Sequence, residues 1–374
     1  PVPPSTPTIA TMPKPSLYRC ANLGKLHFQP HANRNHREPH PSYGFDHLEI
    51  SDEPGVYEDA YRAWVQRQAP EQLPHLSVGL PPARATWMQT MGIKDEVEHP
   101  SSEPREDFEK AVPFTGDERF THTAFVAERT IEFLQQQDGK RPFLCISGFY
   151  SPHAPWVVPQ RFLDFYEPQT FGEAVNSPRH GYYAMISDVE YHVWRILRQL
   201  SASGLAKNTI VLFTSDHGEW LGDNGRFGKG YPADDPVSRV PLVVRLPERL
   251  KPLSQAKRDS LLEAVDVLPT LLELCAIQPP PQLVGRSFIN LLLGREYKPR
   301  RAALTEFSGW KTIRTRQNRY LIHADGRELL WEIKGGKEVR IALQGNEAML
   351  AKQRHLLLQS ILNAERPLSR TWPY

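Results

Sequence analysis

The feature that most constrains the fold of this 374-residue chain is the run Thr209-Ile210-Val211-Leu212-Phe213-Thr214, which stops abruptly at Ser215-Asp216-His217-Gly218. A short apolar and β-branched run bounded by turn residues fits a strand buried in a sheet. A Gly-rich loop follows and presents Lys229 between Gly228 and Gly230, before a second apolar strand at 240–246. In an open α/β sheet, ligands collect beyond the carboxyl ends of the strands. Asp216 and His217 therefore stand where a metal or an anion would be held. Carboxylate beside imidazole is a metal-ligand pair, and a lysine offered by glycines is an anion-binding group. Together they point to metal-assisted chemistry on a sulfate or phosphate ester.

The rest of the chain supplies the layers such a strand needs. A short strand is expected at 18–23, ending in Gly24-Lys25-Leu26-His27-Phe28, and a buried strand at 143–149, followed by a loop carrying His153. Helical spacing is expected over 120–136 and over 182–203, where Met185, Val189, Val193, Ile196, Leu197 and Leu200 form one stripe. A third helix at 260–275 contains Pro269, which predicts a kink or a start near Asp266, an acceptable N-cap. This alternation implies an α/β sandwich with a mostly parallel central sheet and helices on both faces. From about residue 300, strands are expected at 302–307, 311–315, 319–323 and 328–333, with Asp325-Gly326 as a turn signal and a closing helix at 347–362. Two domains are therefore expected: a catalytic α/β domain over 1–298 and a small antiparallel sheet with one helix over 299–374. Residues 29–115 lack periodicity and read as long loops with one helix near 56–68; selectivity is expected to lie there and in the C-terminal subdomain.

Composition narrows the partners. With 45 basic and 43 acidic residues, nothing marks a nucleic-acid or membrane-surface binder. No apolar run approaches the ~20 residues a spanning helix needs. Cys20, Cys145 and Cys275 are scattered and read as small buried hydrophobes, so disulfides do not fix the compartment. His31, His36, His40 and His47 read as loop or pocket-wall residues, Asp234-Asp235 as a loop-shaping pair, and Arg239 and Arg245 as structural ion-pair partners. Arg314, Arg316 and Arg319 read first as structural, with a basic pocket mouth for an anionic substrate as the alternative.

Set in order, GKLHF (24–28), SPHAPW (151–156), TSDHGEWLGDNGRFGKG (214–230) and SRVPLVVRLP (238–247) resemble the type I sulfatases, arylsulfatase- or choline-sulfatase-like members of the alkaline phosphatase superfamily. Phosphonate monoester hydrolases and phosphodiesterases share these motifs. The resemblance implies an alkaline-phosphatase-like sandwich and a sulfuric ester hydrolase. It implies that Asp216 and His217 ligate one divalent cation, Ca²⁺ by family, with Mn²⁺, Mg²⁺ or Zn²⁺ also compatible. It assigns Lys25 and Lys229 to the sulfate oxygens, His27 to the neighbourhood of the nucleophile, and His153 to the ester oxygen or the leaving-group proton. The implied substrate is a small-molecule or carbohydrate sulfate ester, with no nucleic-acid or membrane partner, and a homo-oligomer is compatible with it.

Members of this family carry a Cys-x-Pro-x-Arg or Ser-x-Pro-x-Arg motif whose first residue becomes formylglycine and, at an earlier strand end, an Asp-Asp pair that supplies further metal ligands. Neither is found here: Cys20, Cys145 and Cys275 are followed by Ala-Asn-Leu, Ile-Ser-Gly and Ala-Ile-Gln. The expectation is a fragment of a sulfatase that is inactive alone, with formylglycine only in a missing N-terminal segment. A phosphonate monoester or phosphodiester hydrolase and a non-catalytic relative are the alternatives. The compartment, cytoplasmic or periplasmic, stays open.

Overall fold

In the computed structural model, residues 2–3, 5–12, 17–28, 40–79, 110–167, 177–250 and 257–365 are described; His31 and His36 lie outside them. The chain divides into two compact units, Pro1–Lys207 and Asn208–Tyr374.

The first unit is built on three parallel strands, β1 (Arg19–Gly24), β2 (His47–Ile50) and β3 (Phe143–Gly148), in the order β2-β1-β3. Its main helices are α1 (Ala60–Gln68), α2 (His122–Gln135) and α3 (Pro178–Ala202). Strand alternation sorts the side chains between the two faces. Phe143 and Ser147 turn toward α2: Thr130 Oγ1 lies 2.8 Å from Ser147 Oγ, and the Phe133 and Phe143 rings are 6.0 Å apart. Cys20, Leu144 and Ile146 turn the other way and pack with Ala10, Tyr43 and Phe45 from the N-terminal segment and the turn before β2. α1 and α2 share Trp64, Val65, Phe125 and Val126. Burying each such side chain contributes roughly 1.5–3 kcal/mol.

Capping decides where these helices begin. The helix expected at 182–203 starts earlier because Ser177 accepts the His180 N–H at 3.2 Å and Pro178 occupies the first turn. Asp59 caps α1 by accepting the Arg62 N–H, which trims the helix expected from residue 56 to a start at Ala60. Strand β2 was not expected; four residues are too few to show a period.

In the second unit, β4 (Val211–Thr214) pairs antiparallel with β5 (Leu242–Arg245). The helix expected at 260–275 is shorter: a 3₁₀ turn at Ala264–Asp266 leads into α4 (Val267–Leu274). Pro269 sits in the first turn of α4, where a missing N–H has no helical acceptor to lose. Strands β6 (Ala303–Phe307), β7 (Trp310–Arg314), β8 (Asn318–His323), β9 (Glu328–Lys334) and β10 (Lys337–Ile341) form an antiparallel meander in sequential order. α5 (Glu347–Ala364) lays Leu350, Leu356 and Leu357 against Ile313, Tyr320 and Leu330. Strand β10 extends the expected sheet by a fifth strand through the Gly335-Gly336 turn, both glycines at positive φ.

The basic trio of this unit does not form a rim. Arg319 is 1% exposed, with its guanidinium 3.6 Å from the Trp331 ring centroid and 2.7 Å from Glu338. Arg314 pairs with Asp235 at 2.9 Å, and Arg316 donates to the Asp259 carbonyl. Asp234 is buried and accepts from Trp220 Nε1, so the Asp-Asp pair shapes its loop as expected. Among the described residues the three cysteines are free thiols, and burial pushes the Cys145 thiol up to about 12. No helix among them is long and apolar enough to cross a membrane.

Candidate functional site

In the first unit, the structure brings Lys25, His27 and His153 to the carboxyl end of the parallel sheet. β1 and β3 end in register at Gly24 and Gly148, and Lys25 N donates to the Gly148 carbonyl at 2.8 Å. This approach requires glycine: a Cβ on Gly148 would lie 2.1 Å from the Lys25 carbonyl oxygen. The chain then turns through His27 at φ 54°, a left-handed conformation that costs a non-glycine residue energy and is held with help from its surroundings. Help comes from Asp52, 4% exposed, whose Oδ1 accepts the Leu26 N–H at 2.8 Å and the His27 N–H at 3.1 Å.

His153 lies in the loop after β3. Its Nδ1 is 2.6 Å from the Ala154 carbonyl and 3.0 Å from the Tyr150 hydroxyl. A carbonyl can only accept, so the Nδ1 proton points at Ala154. Behind this loop, His122 is buried, with Nε2 3.2 Å from the Ser51 carbonyl. Burial pushes its pKa down to about 4, and the Lys25 charge lowers it further against the pull of the Ser51 carbonyl and Asp52. His47 belongs elsewhere: it pairs with Glu49 at 2.7 Å. Burial raises the Glu49 pKa, but hydrogen bonds from His47 and Arg129 outweigh it and hold the carboxyl at about 2.

In the second unit, β4 delivers Asp216 and His217 at its carboxyl end. Gly218 N donates to the Val237 carbonyl at 2.7 Å, and a Cβ on Gly218 would lie 2.0 Å from the Pro236 carbonyl oxygen. The His217 Nδ1 proton is directed to the Gly218 carbonyl at 2.8 Å, which leaves Nε2 as the acceptor. Lys229 Nζ donates to that Nε2 at 3.0 Å, and Asp216 Oδ2 lies 3.7 Å from it. The loop thus brings Lys229 back onto the Asp-His pair across 12 residues of chain.

Asp216 and His217 are a carboxylate and an imidazole that could hold one divalent cation in part. Two donors fall short of the four to eight ligands that Zn²⁺ or Ca²⁺ takes. Among the described residues, no group of three or more His, Cys, Asp or Glu side chains is placed to hold a metal. The pair offers two candidate ligands and does not by itself complete a site.

Residues 2–277 match the family model described as Sulfatase. The chain belongs to the sulfatase family. A second model, N-sulphoglucosamine sulphohydrolase, C-terminal, matches residues 222–334. The chain is 29% identical over 210 residues to an arylsulfatase of Clostridium perfringens, an alignment covering 48% of this chain and 44% of the relative. It therefore spans less than half the length of that relative. Among solved structures, the phosphonate monoester hydrolase of Agrobacterium radiobacter superposes with a TM-score of 0.69 at 20% identity, covering 92% of this chain and 78% of that one. A protein solved in complex with its substrate D-glucosamine-2-N,6-O-disulfate superposes with a TM-score of 0.63 at 16% identity, covering 97% and 83%. These likenesses establish an alkaline-phosphatase-like sulfatase fold with a small C-terminal antiparallel sheet.

Two residues of the first unit escaped the sequence reading, Asp52 and Tyr150. Asp52 follows an unrecognised strand in a stretch that reads as loop. Tyr150 directly precedes the recognisable Ser-Pro-His motif, and its hydroxyl contacts to His153 and Ala154 depend on how that loop turns.

Proposed function

We propose that this chain carries the anion-holding and proton-handling side chains of a sulfate monoester hydrolase. The observation that carries the reading is Lys229 Nζ at 3.0 Å from His217 Nε2, beside Asp216 at the end of β4. An ammonium and two potential metal ligands converge there on one spot, as an anion site requires. Membership of the sulfatase family and the 29% identity to an arylsulfatase support the sulfate ester as the substrate class.

In this reading, Lys229 and Lys25 hold sulfuryl oxygens as point charges and offset the negative charge gathering on the group under attack. His153, its Nδ1 proton directed at Ala154, carries the exchangeable proton at Nε2 and gives it to the departing ester oxygen. His27 stands beside the position of the nucleophile. A divalent cation, Ca²⁺ or one of Mn²⁺, Mg²⁺ and Zn²⁺, bound in part by Asp216 and His217, would polarise a sulfuryl oxygen. The attacking group itself is not among these residues, since no Cys-x-Pro-x-Arg or Ser-x-Pro-x-Arg occurs in the sequence. The 374-residue chain should therefore bind sulfate and fail to turn over its esters. Isothermal titration of inorganic sulfate into the wild type and Lys229→Ala, together with a 4-nitrophenyl sulfate assay, tests both halves. Equal sulfate affinity in the two proteins, or robust turnover by the chain, overturns the reading. The superposition on a phosphonate monoester hydrolase supports phosphonate or phosphodiester hydrolysis as a second reading, separated by titrating phenylphosphonate against sulfate.

A further inference from the structure

The loop that presents Lys229 continues directly into Gly230-Tyr231 and meets an aromatic row on the meander. Phe307 of β6 is the cross-strand partner of Trp310 of β7, and Trp310 is in turn the partner of His323 of β8. Directly opposed residues share a sheet face, so these three rings form a line across three strands. Tyr231 stands edge-on to two of them, 6.0 Å from Trp310 and 6.2 Å from His323, at interplanar angles of 72° and 88°. Phe307 flanks Trp310 on the other side at 5.9 Å.

Core packing accounts for only part of this row. Trp310 is 6% exposed and rests among Ala233, Leu321 and Trp331, whereas Tyr231 is 41% exposed and Phe307 67%. Two large rings are thus held at the surface on either side of a buried one. Their support is rigid. Arg319 Nη1 donates to the Pro232 carbonyl at 3.1 Å, Arg314 grips Asp235, and His323 Nδ1 lies 3.1 Å from Asp325. The buried Arg319 therefore fixes the backbone next to Tyr231, and the ring gives up little freedom when it meets a ligand. From Lys229 to Tyr231 the Cα atoms lie at most about 7 Å apart.

We propose that Tyr231 and Phe307, seated on the buried Trp310, form a saccharide subsite beside Lys229, which receives the pyranose ring whose sulfate Lys229 holds. The subsite rests on the sulfate-ester function proposed above and gives it a substrate class. The apolar face of a pyranose presents C–H bonds with partial positive charge, and the faces of aromatic rings are negative, so the two stack. An ammonium two residues from such a platform matches a sugar bearing one anionic group.

Isothermal titration of the full chain with two probes, glucosamine 6-sulfate and inorganic sulfate, separates subsite from sulfate site. Tyr231→Ala and Phe307→Ala should each weaken glucosamine 6-sulfate by roughly 3- to 10-fold, the size of one aromatic contact, and leave inorganic sulfate unchanged. Tyr231→Phe, which keeps the ring and the fold, should retain wild-type affinity for both probes. If both alanine variants bind the sugar as the wild type does while Lys229→Ala loses both probes, the subsite is wrong and the sulfate site stands. If Lys229→Ala binds inorganic sulfate like the wild type, the underlying reading fails and takes the subsite with it.

Discussion

Removing the Asp52 carboxylate should loosen the turn that carries Lys25 and His27. In the wild type one oxygen, Oδ1, accepts the backbone N–H groups of Leu26 and His27 at 2.8 and 3.1 Å, in a place where Asp52 is 4% exposed. Hydrogen bonds to a charged acceptor are worth about 1.5–3 kcal/mol each, so Asp52→Ala removes about 3–6 kcal/mol gross. Part returns, because His27 is then free to leave its left-handed φ of 54°, a conformation costing about 1–2 kcal/mol. The net loss is about 2–4 kcal/mol, and for a unit of this size each kcal/mol lowers Tm by about 2–4 °C. Asp52→Ala should therefore melt the first unit about 5–15 °C lower, with Asp52→Asn, which keeps an acceptor at Oδ1, losing less than half of that. Calorimetry on the full chain reads the shift directly. An alanine variant melting within 1–2 °C of the wild type, about the effect of a surface substitution, would refute the reasoning.

Gly148→Ala should force β1 and β3 apart at their carboxyl ends, since its Cβ would sit 2.1 Å from the Lys25 carbonyl; a loss of about 1–3 kcal/mol in a denaturant titration is expected. Arg319→Ala leaves Glu338, whose carboxyl burial already pushes up, with only the more distant Arg314 at 3.7 Å, and leaves the Pro232 carbonyl without its donor. Breaking such a buried pair costs about 3–5 kcal/mol, so the transition of the second unit should fall by about 10 °C in a thermal melt. Acid should weaken the first unit. Burial depresses His122 to about 4, and burial with the Arg195 and Arg161 charges depresses His192 to about 3. Both lie below the unfolded value near 6.5, so their stabilisation is complete above pH ~6.5 and lost as pH falls through 4. Asp188, raised by burial to about 7, opposes one of the two over that window. The net is about one proton taken up on unfolding, or about 1.4 kcal/mol per pH unit. His122→Gln should flatten the dependence of Tm on pH between 4 and 6.5, and an unchanged slope would remove His122 from the account.

The sequence alone was enough for the α/β class, the antiparallel C-terminal sheet and the family, because these are carried by local signals. Apolar runs ending in turn residues, a helical stripe such as Met185-Val189-Val193, and the unbroken DHG-to-GKG string each lie within a few residues of their own meaning. Strand β2, with four residues, and α3, whose start is decided by Ser177 and Pro178, show where such signals thin out. Arg314 and Arg319 show the complementary failure. A charge in sequence carries no sign of its partner, and both found theirs in Asp235 and Glu338 through long-range folding.

The site divides along the same line. Residue types and spacing nominated Lys25, His27, His153, Asp216, His217 and Lys229, since a motif records which chemistry is present. Only the tertiary structure returned Lys229 to within 3.0 Å of His217, set Asp52 beneath the Lys25–His27 turn and aligned Phe307, Trp310 and His323 beside Tyr231. Apart from the local hairpin pair Phe307–Trp310, those contacts join residues 12 to more than 70 positions apart, and a distance between side chains is fixed by packing and register, which no local pattern of residues encodes.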